Sequence, residues 1–293
     1  LPKAQHYQIL FRVGEGTVIY QSIDEKFGLR LITHLKYLAN MKVGENRRIQ
    51  LGGLNYACNQ QLYRLRISTV GDYQKRESMV IRLLHDFKSR ELLFLLAEQR
   101  QEVGQLIQER GLYLFCGSVG SGKTTLMHYL ANQKFEGKQI ISIEDPVEIE
   151  NTEILQLQIN EPIGLDYESL IKLSLRHRPD LLMIGEIRDL KTAKAVVQAA
   201  LTGHTVFSSV HAKSPDSILS RLIELGIPKS DLVHALKGTI YQRLLPNKQG
   251  IGLYLQVDSG IEISNSHWNQ GLERLVEMGV MDVEQAKKES FKC

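Results

Sequence analysis

Apolar and polar positions follow two different rhythms along this chain. In the first part, Tyr7-Gln8-Ile9-Leu10-Phe11-Arg12-Val13 and Thr17-Val18-Ile19-Tyr20 flank Gly14-Glu15-Gly16, which predicts a β-hairpin. Residues 24–40 carry Phe27, Leu31, Leu35 and Leu38 at helical spacing. Leu62-Tyr63-Arg64-Leu65-Arg66-Ile67-Ser68 and Met79-Val80-Ile81-Arg82-Leu83 alternate, as strands with one wet face do. That face holds Arg64, Arg66 and Arg82. A solvated sheet face and a set of arginines aimed at phosphate both fit the pattern. His85-Asp86-Phe87-Lys88 reads as a linker, and Ser89 as the cap of a helix that runs to Arg110 and stops at Gly111. The expected organisation is an N-terminal α/β domain at 1–84, a linker at 85–90 and a second domain at 91–293 with a helical C-terminal part.

Beyond the linker, short apolar runs alternate with helical segments. This is the signature of a mostly parallel sheet with helices on its faces. Strands are predicted at 112–116, 139–143, 180–185 and 205–210. The last three end on Glu144-Asp145-Pro146, on Glu186-Ile187-Arg188-Asp189 and on His211. In open α/β sheets that edge is where ligands sit. Asp189 is the expected cap of a helix over 190–201 that ends at Gly203. Ser214-Pro215 opens another, with Gly226 after its end. Ser230 or Asp231 starts a further helix through Leu245, and two short helices are expected over 268–290.

The first of these strands runs into Gly117-Ser118-Val119-Gly120-Ser121-Gly122-Lys123-Thr124, a complete G-x-x-x-x-G-K-[ST] loop, and Thr125 begins a helical stretch. Glycines let several backbone N–H groups converge on one anion, and the helix start adds positive potential there. Lys123 can reach the outer phosphates, and Thr124 offers a hydroxyl to Mg²⁺. The ligand implied is a nucleoside triphosphate with Mg²⁺. Hydrolysis also needs carboxylates at the γ-phosphate. Glu186 follows an apolar strand, the place of a Walker B acid, and Gly185 stands where many ATPases carry another acid. Metal coordination then falls to Thr124, Glu186 and water, and Glu144 is the better candidate for general base. Asp145 before Pro146 reads as a turn-fixing residue. For His204 and His211, a hydrogen bond that fixes a turn and a catalytic role both stay open.

Composition narrows the rest. Of 293 residues 43% are apolar and 24% charged, so a substantial soluble core is expected. A net charge of +3 is too mild to argue for nucleic-acid binding. Cys58, Cys116 and Cys293 form no C-x-x-C pair, which argues against a disulfide framework or a zinc site and for a reducing cytosol. No apolar run has the length of a membrane span, so membrane association is expected to come through a partner. No secretory signal is visible; the first residue is not Met, and a few N-terminal residues are expected to be missing.

Four blocks together resemble a known family. The phosphate loop through Thr125, Ser142-Ile143-Glu144-Asp145-Pro146-Val147-Glu148, Leu182-Met183-Ile184-Gly185-Glu186-Ile187-Arg188-Asp189 and Leu201-Thr202-Gly203-His204-Thr205-Val206-Phe207-Ser208-Ser209-Val210-His211-Ala212 are similar in order and spacing to the Walker A, Asp box, Walker B and His box. These define the secretion ATPases of type II secretion and type IV pili. Leu175-Arg176 before Pro179-Asp180, and Tyr241-Gln242-Arg243-Leu244, resemble further stretches of that family, as do Arg66-Ile67-Ser68-Thr69 and Val80-Ile81-Arg82, more weakly.

The resemblance implies a RecA-like P-loop ATPase domain with a smaller N-terminal α/β, PAS-like domain, working as a homo-hexamer. It implies ATP between the two domains, with Arg66 and Arg82 closing on it. Glu144 would be the Asp-box catalytic acid, Glu186 the Walker B acid, and His204 and His211 the His-box pair. It further implies a cytoplasmic protein peripheral at the inner face of the membrane. There it would drive a polytopic inner-membrane platform protein and, indirectly, pilin subunits. The sequence shows no cysteines for the zinc-binding tetracysteine insert of many assembly members, and an extended N-terminal docking domain is not expected. In this it is similar to the competence ATPases of Gram-positive bacteria, the ComGA type. Arg176-His177-Arg178-Pro179-Asp180 stands where Arg-Gln-Asp-Pro-Asp is usual, so the resemblance does not carry over the contacts of that first Asp. The expected function is assembly of a competence pilus or pseudopilus for DNA uptake. Pilus retraction is the alternative within the family. A DNA translocase is disfavoured by the lack of a basic stripe with interleaved aromatics, and no direct nucleic-acid partner is expected.

Overall fold

The computed structural model describes residues 1–13, 16–59, 61–84, 92–247 and 250–292. The predicted linker, Ser89 as a helix cap, the hairpin residues Gly14 and Glu15, and Cys293 lie outside the described residues. The chain divides into two compact units, Leu1–Asp86 and Phe87–Cys293.

In the first unit β1 (His6–Val13) and β2 (Gly16–Asp24) pair antiparallel. Helix α1 (Glu25–Leu38) follows, and the Asp24 side chain accepts a hydrogen bond from the Phe27 N–H at 3.0 Å, capping its first turn. Strands β3 (Gln50–Cys58), β4 (Gln61–Gly71) and β5 (Glu77–Leu84) form an antiparallel meander. Sequence pattern missed β3, because Gly52-Gly53 weakens strand propensity. At Gly52 the structure shows why glycine is needed: a Cβ there would meet the Met41 side chain at 2.7 Å and the Ala39 carbonyl at 2.9 Å. The Lys36 ammonium is fully buried and pairs with Glu77 at 2.7 Å, while also donating to the Glu45 carbonyl. Removing one member of such a pair strands the other charge. Glu77→Leu is therefore expected to destabilise the protein by about 3–5 kcal/mol, measured by urea unfolding of the full chain.

The second unit opens with α2 (Glu98–Leu106), β6 (Leu112–Cys116), α3 (Lys123–Lys134), β7 (Ile140–Glu144) and β8 (Leu155–Gln158). Next come α4 (Tyr167–Arg176), β9 (Leu181–Ile184), α5 (Leu190–Leu201), β10 (Val206–Val210) and α6 (Ser217–Glu224). It closes with α7 (Lys229–Ala235), β11 (Leu236–Asn247), β12 (Gly250–Ser259), α8 (Asn265–Glu277) and α9 (Val283–Glu289). The seven-stranded sheet has the order β12-β11-β6-β10-β9-β7-β8, parallel throughout except for the antiparallel β11–β12 pair. Strand β6 feeds both faces by simple alternation: Leu112, Leu114 and Cys116 enter one core, Tyr113 and Phe115 the other.

Two expected helices are corrected. The helix predicted to reach Arg110 and stop at Gly111 spans only Glu98–Leu106. The apolar run before it is extended instead, with Leu95 N–H donating to the Leu253 carbonyl at 2.9 Å and Leu253 N–H to that of Leu93 at 2.7 Å. The helix expected to continue through Leu245 stops at Ala235 and gives way to β11. Thr239-Ile240-Tyr241 favours strand, and β6 needs a partner on that side. Gly238 is required there, since a Cβ would meet Leu106 at 2.4 Å. Strands β8 and β12 and helix α4 had not been anticipated.

Candidate active site at the carboxyl edge of the sheet

Strands β6, β10, β9 and β7 are consecutive neighbours, all parallel, so their carboxyl ends share one edge. The phosphate loop leaves β6, His211 follows β10, Glu186 lies just beyond β9, and Glu144 ends β7. Residues from Gly117 to His211 thus come to one edge because the crossovers lay all four strands into the sheet in the same direction.

In the loop, Gly117, Gly120 and Gly122 have φ of +142°, +79° and +88°, a region that side chains with a Cβ avoid. A Cβ on Gly117 would fall 2.4 Å from the Gln242 carbonyl oxygen. Gln242, fully buried on β11, also donates its side-chain amide to the Ser121 carbonyl at 2.7 Å and so braces the loop from below. Ser118, Val119 and Gly120 form an exposed crest, while Thr124 and Thr125 sit half-buried in the first turn of α3. The Lys123 ammonium folds back over the loop, donating to the carbonyls of Gly117 (3.1 Å) and Ser118 (2.8 Å). Burial lowers its pKa below the usual lysine range. The arrangement is one that a polyanion would reorganise favourably: amides at a helix start and a partly desolvated cation.

Glu186 is held at both oxygens. His211 Nε2 lies 3.1 Å from Oε2, and Arg188 pairs with Oε1 while its other arm reaches Asp145 Oδ2 at 3.3 Å. The backbone is fixed as well, since Gly185 N–H donates to Ile143 and Ile187 N–H to Ser209, both at 2.8 Å. Glu144 is 5% exposed, and its Oε1 accepts from Ser142 Oγ (2.7 Å) and Gln156 Nε2 (3.1 Å). Desolvation raises its pKa above the ordinary carboxylate value; the two donors pull the other way. Tyr167 on α4 sits against Gly185, and its hydroxyl is pushed up by burial and by the charge of Asp145.

His204 is not brought into this group. It precedes β10 while His211 follows it, so the strand separates them by roughly 20 Å at about 3.3 Å per residue. Its Nδ1 lies 3.3 Å from both Thr202 Oγ and the Ala199 carbonyl, closing the turn after α5. Arg66 and Arg82 belong to the first unit, directly opposite one another in the β4–β5 register, with Arg64 on the same face. Sequence reasoning missed Gln242, Gln156, Ser142 and Tyr167 as site residues. Gln242 had a signal in the Tyr241-Gln242-Arg243-Leu244 stretch, and Ser142 in its place two residues before Glu144; Gln156 acquires meaning only through the β7–β8 pairing and Tyr167 only through the packing of α4.

Comparison with known proteins places this geometry. The family described as Type II/IV secretion system protein matches residues 1–288. The competence protein ComGA of Streptococcus pneumoniae is 50% identical over 292 residues, 99% of this chain and 92% of that protein. ComGA of Bacillus subtilis is 34% identical over 250 residues, 84% of this chain and 70% of its own length. The ATPase DotB of Legionella pneumophila superposes with a TM-score of 0.73 at 17% identity, covering 97% of this chain and 90% of that one. The pilus retraction motor PilT, solved with bound ADP, gives 0.73 at 21% identity, covering 99% and 94%. At those identities the two structures speak for the fold alone, an α/β domain built on a phosphate-loop sheet. By the near-complete family match and the half-identical relative, the chain belongs to the Type II/IV secretion system protein family.

Proposed function

We propose that the chain is an ATP-hydrolysing motor subunit that powers assembly of a competence pilus or pseudopilus for DNA uptake. The observation that carries the reading is the shared edge of β6, β10, β9 and β7. It gathers an anion-binding loop, a lysine, a fixed acid–imidazole pair and a buried carboxyl around one place. Backbone amides of residues 117–125 and the Lys123 ammonium hold the phosphates of ATP. Glu144 takes the proton of the attacking water, a task suited to a carboxyl whose basicity burial has raised. His211 and Arg188 orient Glu186.

The residues present fit Mg²⁺ bound with the nucleotide. Among the described residues no three His, Cys, Asp or Glu side chains gather as a cage, so Thr124 and Glu186 would share the ion with phosphate oxygens and water. Bound there, Mg²⁺ neutralises charge on the phosphates. Arg66 and Arg82 stay in the reading as the family's arginines for the charge that develops in the transition state. His204 is left out of the chemistry of this edge.

The family resemblance supports a homo-hexameric ring acting on a polytopic membrane platform protein. Among the described residues no helix is long and apolar enough to cross a membrane, so attachment to the membrane falls to that partner. Likeness to ComGA favours assembly over retraction. Deleting the gene separates the two. Loss of surface filaments and of DNA uptake is expected; excess filaments would mean retraction instead. DNA-stimulated ATPase activity with steep salt dependence would speak for a translocase.

A further inference from the structure

We infer that Gln156 and Ser142 are positioning residues that set the orientation of the Glu144 carboxylate for proton abstraction from water. The inference rests on Glu144 being the general base, as proposed above.

Both residues donate to the same oxygen. Ser142 lies two positions before Glu144 on β7, so their side chains share one face of the strand, and Oγ meets Oε1 at 2.7 Å. Gln156 stands on β8, the edge strand paired parallel to β7, and Nε2 meets Oε1 at 3.1 Å. Its amide is itself fixed at every polar atom. Nε2 also donates to the Ile149 carbonyl at 2.8 Å, and Oε1 accepts the Asn151 N–H at 2.8 Å. Asn151 in turn donates its side-chain amide to Asn132 Oδ1 at 2.7 Å, on the helix that begins at Lys123. A chain of amides therefore runs from the phosphate-loop helix through Asn151 and Gln156 to the carboxylate. Two donors on one oxygen leave a carboxylate little freedom to rotate. Three elements, β7, β8 and α3, hold it in register with the loop that binds phosphate. Such preorganisation matters because misplacing a reacting group by about 1 Å costs on the order of 10²-fold in rate.

The titratable groups around Glu144 are Glu148 in the loop after β7, Tyr167 on α4, and Asp145, Glu186 and Arg188 grouped about that tyrosine. Glu148 raises the Glu144 pKa by its charge, while its backbone N–H, like Ser142 and Gln156, lowers it. Removing either side-chain donor disfavours the ionised form, so the acid limb of the rate profile must move to higher pH.

The test uses Gln156→Met, which keeps length and loses the donor, and Ser142→Ala, which removes one buried hydroxyl. ATP hydrolysis by the full-length variants is followed from pH 5 to 9. The expected result is a fall of about tenfold to a hundredfold in kcat with KM for ATP nearly unchanged. The acid limb should move upward in both variants. Unchanged kcat, or a rise in KM alone, would overturn the inference, as would a loss of kcat with the acid limb unmoved. If Gln156→Met fails to fold, Ser142→Ala carries the test by itself. Glu144→Gln is run beside them. Its inactivity together with normal Gln156 and Ser142 variants would sink this inference and leave the general base standing; an active Glu144→Gln would sink the base itself.

Discussion

Lys123→Ala is expected to lower kcat/KM for ATP by about 10²–10³-fold, the usual loss when one preorganised donor to a developing charge is removed. The structure gives the reason in this chain. Lys123 opens α3 immediately after Gly122, and its ammonium rests on the Gly117 and Ser118 carbonyls. Burial lowers its pKa, and a triphosphate beside it would favour the charged form. Alanine keeps the helix, since it is a strong helix former, but removes the only ammonium in the loop. Steady-state hydrolysis together with equilibrium binding of a fluorescent ATP analogue measures the effect. Near-wild-type turnover would remove the phosphate loop from the chemistry.

Glu144→Gln is expected to lower kcat by about 10²–10⁴-fold, the range typical of general-base removal. It should also raise the melting temperature at neutral pH. Burial lifts the Glu144 pKa in the folded protein above its unfolded value. The group's contribution to stability is then full below the unfolded pKa and is lost as pH rises through the folded one. At neutral pH the ionised carboxyl thus opposes folding, and a neutral amide of the same shape, whose oxygen still accepts from Ser142 and Gln156, relieves that cost. The stability gain should vanish in acid, where the carboxyl is protonated in both states. A catalytic acid kept at the expense of stability behaves this way. A purely structural Glu144 would show intact turnover, and scanning calorimetry at two pH values reads the rest.

Much of this site was legible in the sequence because its chemistry is local at the level of each motif. The loop from Gly117 to Thr124 declares itself by spacing, and Asp189 declares the helix it caps, accepting from the Thr192 N–H at 2.8 Å. Glu144, Glu186 and His211 could be placed on one edge because each follows an apolar strand, and parallel strands align their carboxyl ends. What could not be read was whatever depends on which strand lies beside which. Gln156 is an ordinary polar residue until β8 pairs with β7. Gln242 sat in a stretch read as helix, although on β11 it touches the phosphate loop. The pairing of His204 with His211 came from the family resemblance; in the fold the two bracket β10, and an extended strand between two residues holds them apart. Helix boundaries failed where apolar runs such as 92–97 fit strand and helix equally and the edge of the sheet decided the matter.

The central claim is that four neighbouring strand ends build one ATP-hydrolysing site. A crystal structure of the Glu144→Gln protein with ATP and Mg²⁺ tests it most directly. The account predicts the γ-phosphate within hydrogen-bonding distance of Lys123, Mg²⁺ on the Thr124 hydroxyl, and the side chain at position 144 one water away from the phosphorus. Nucleotide bound elsewhere, or bound in the loop with positions 144 and 186 both too far to reach it through one water, would contradict it.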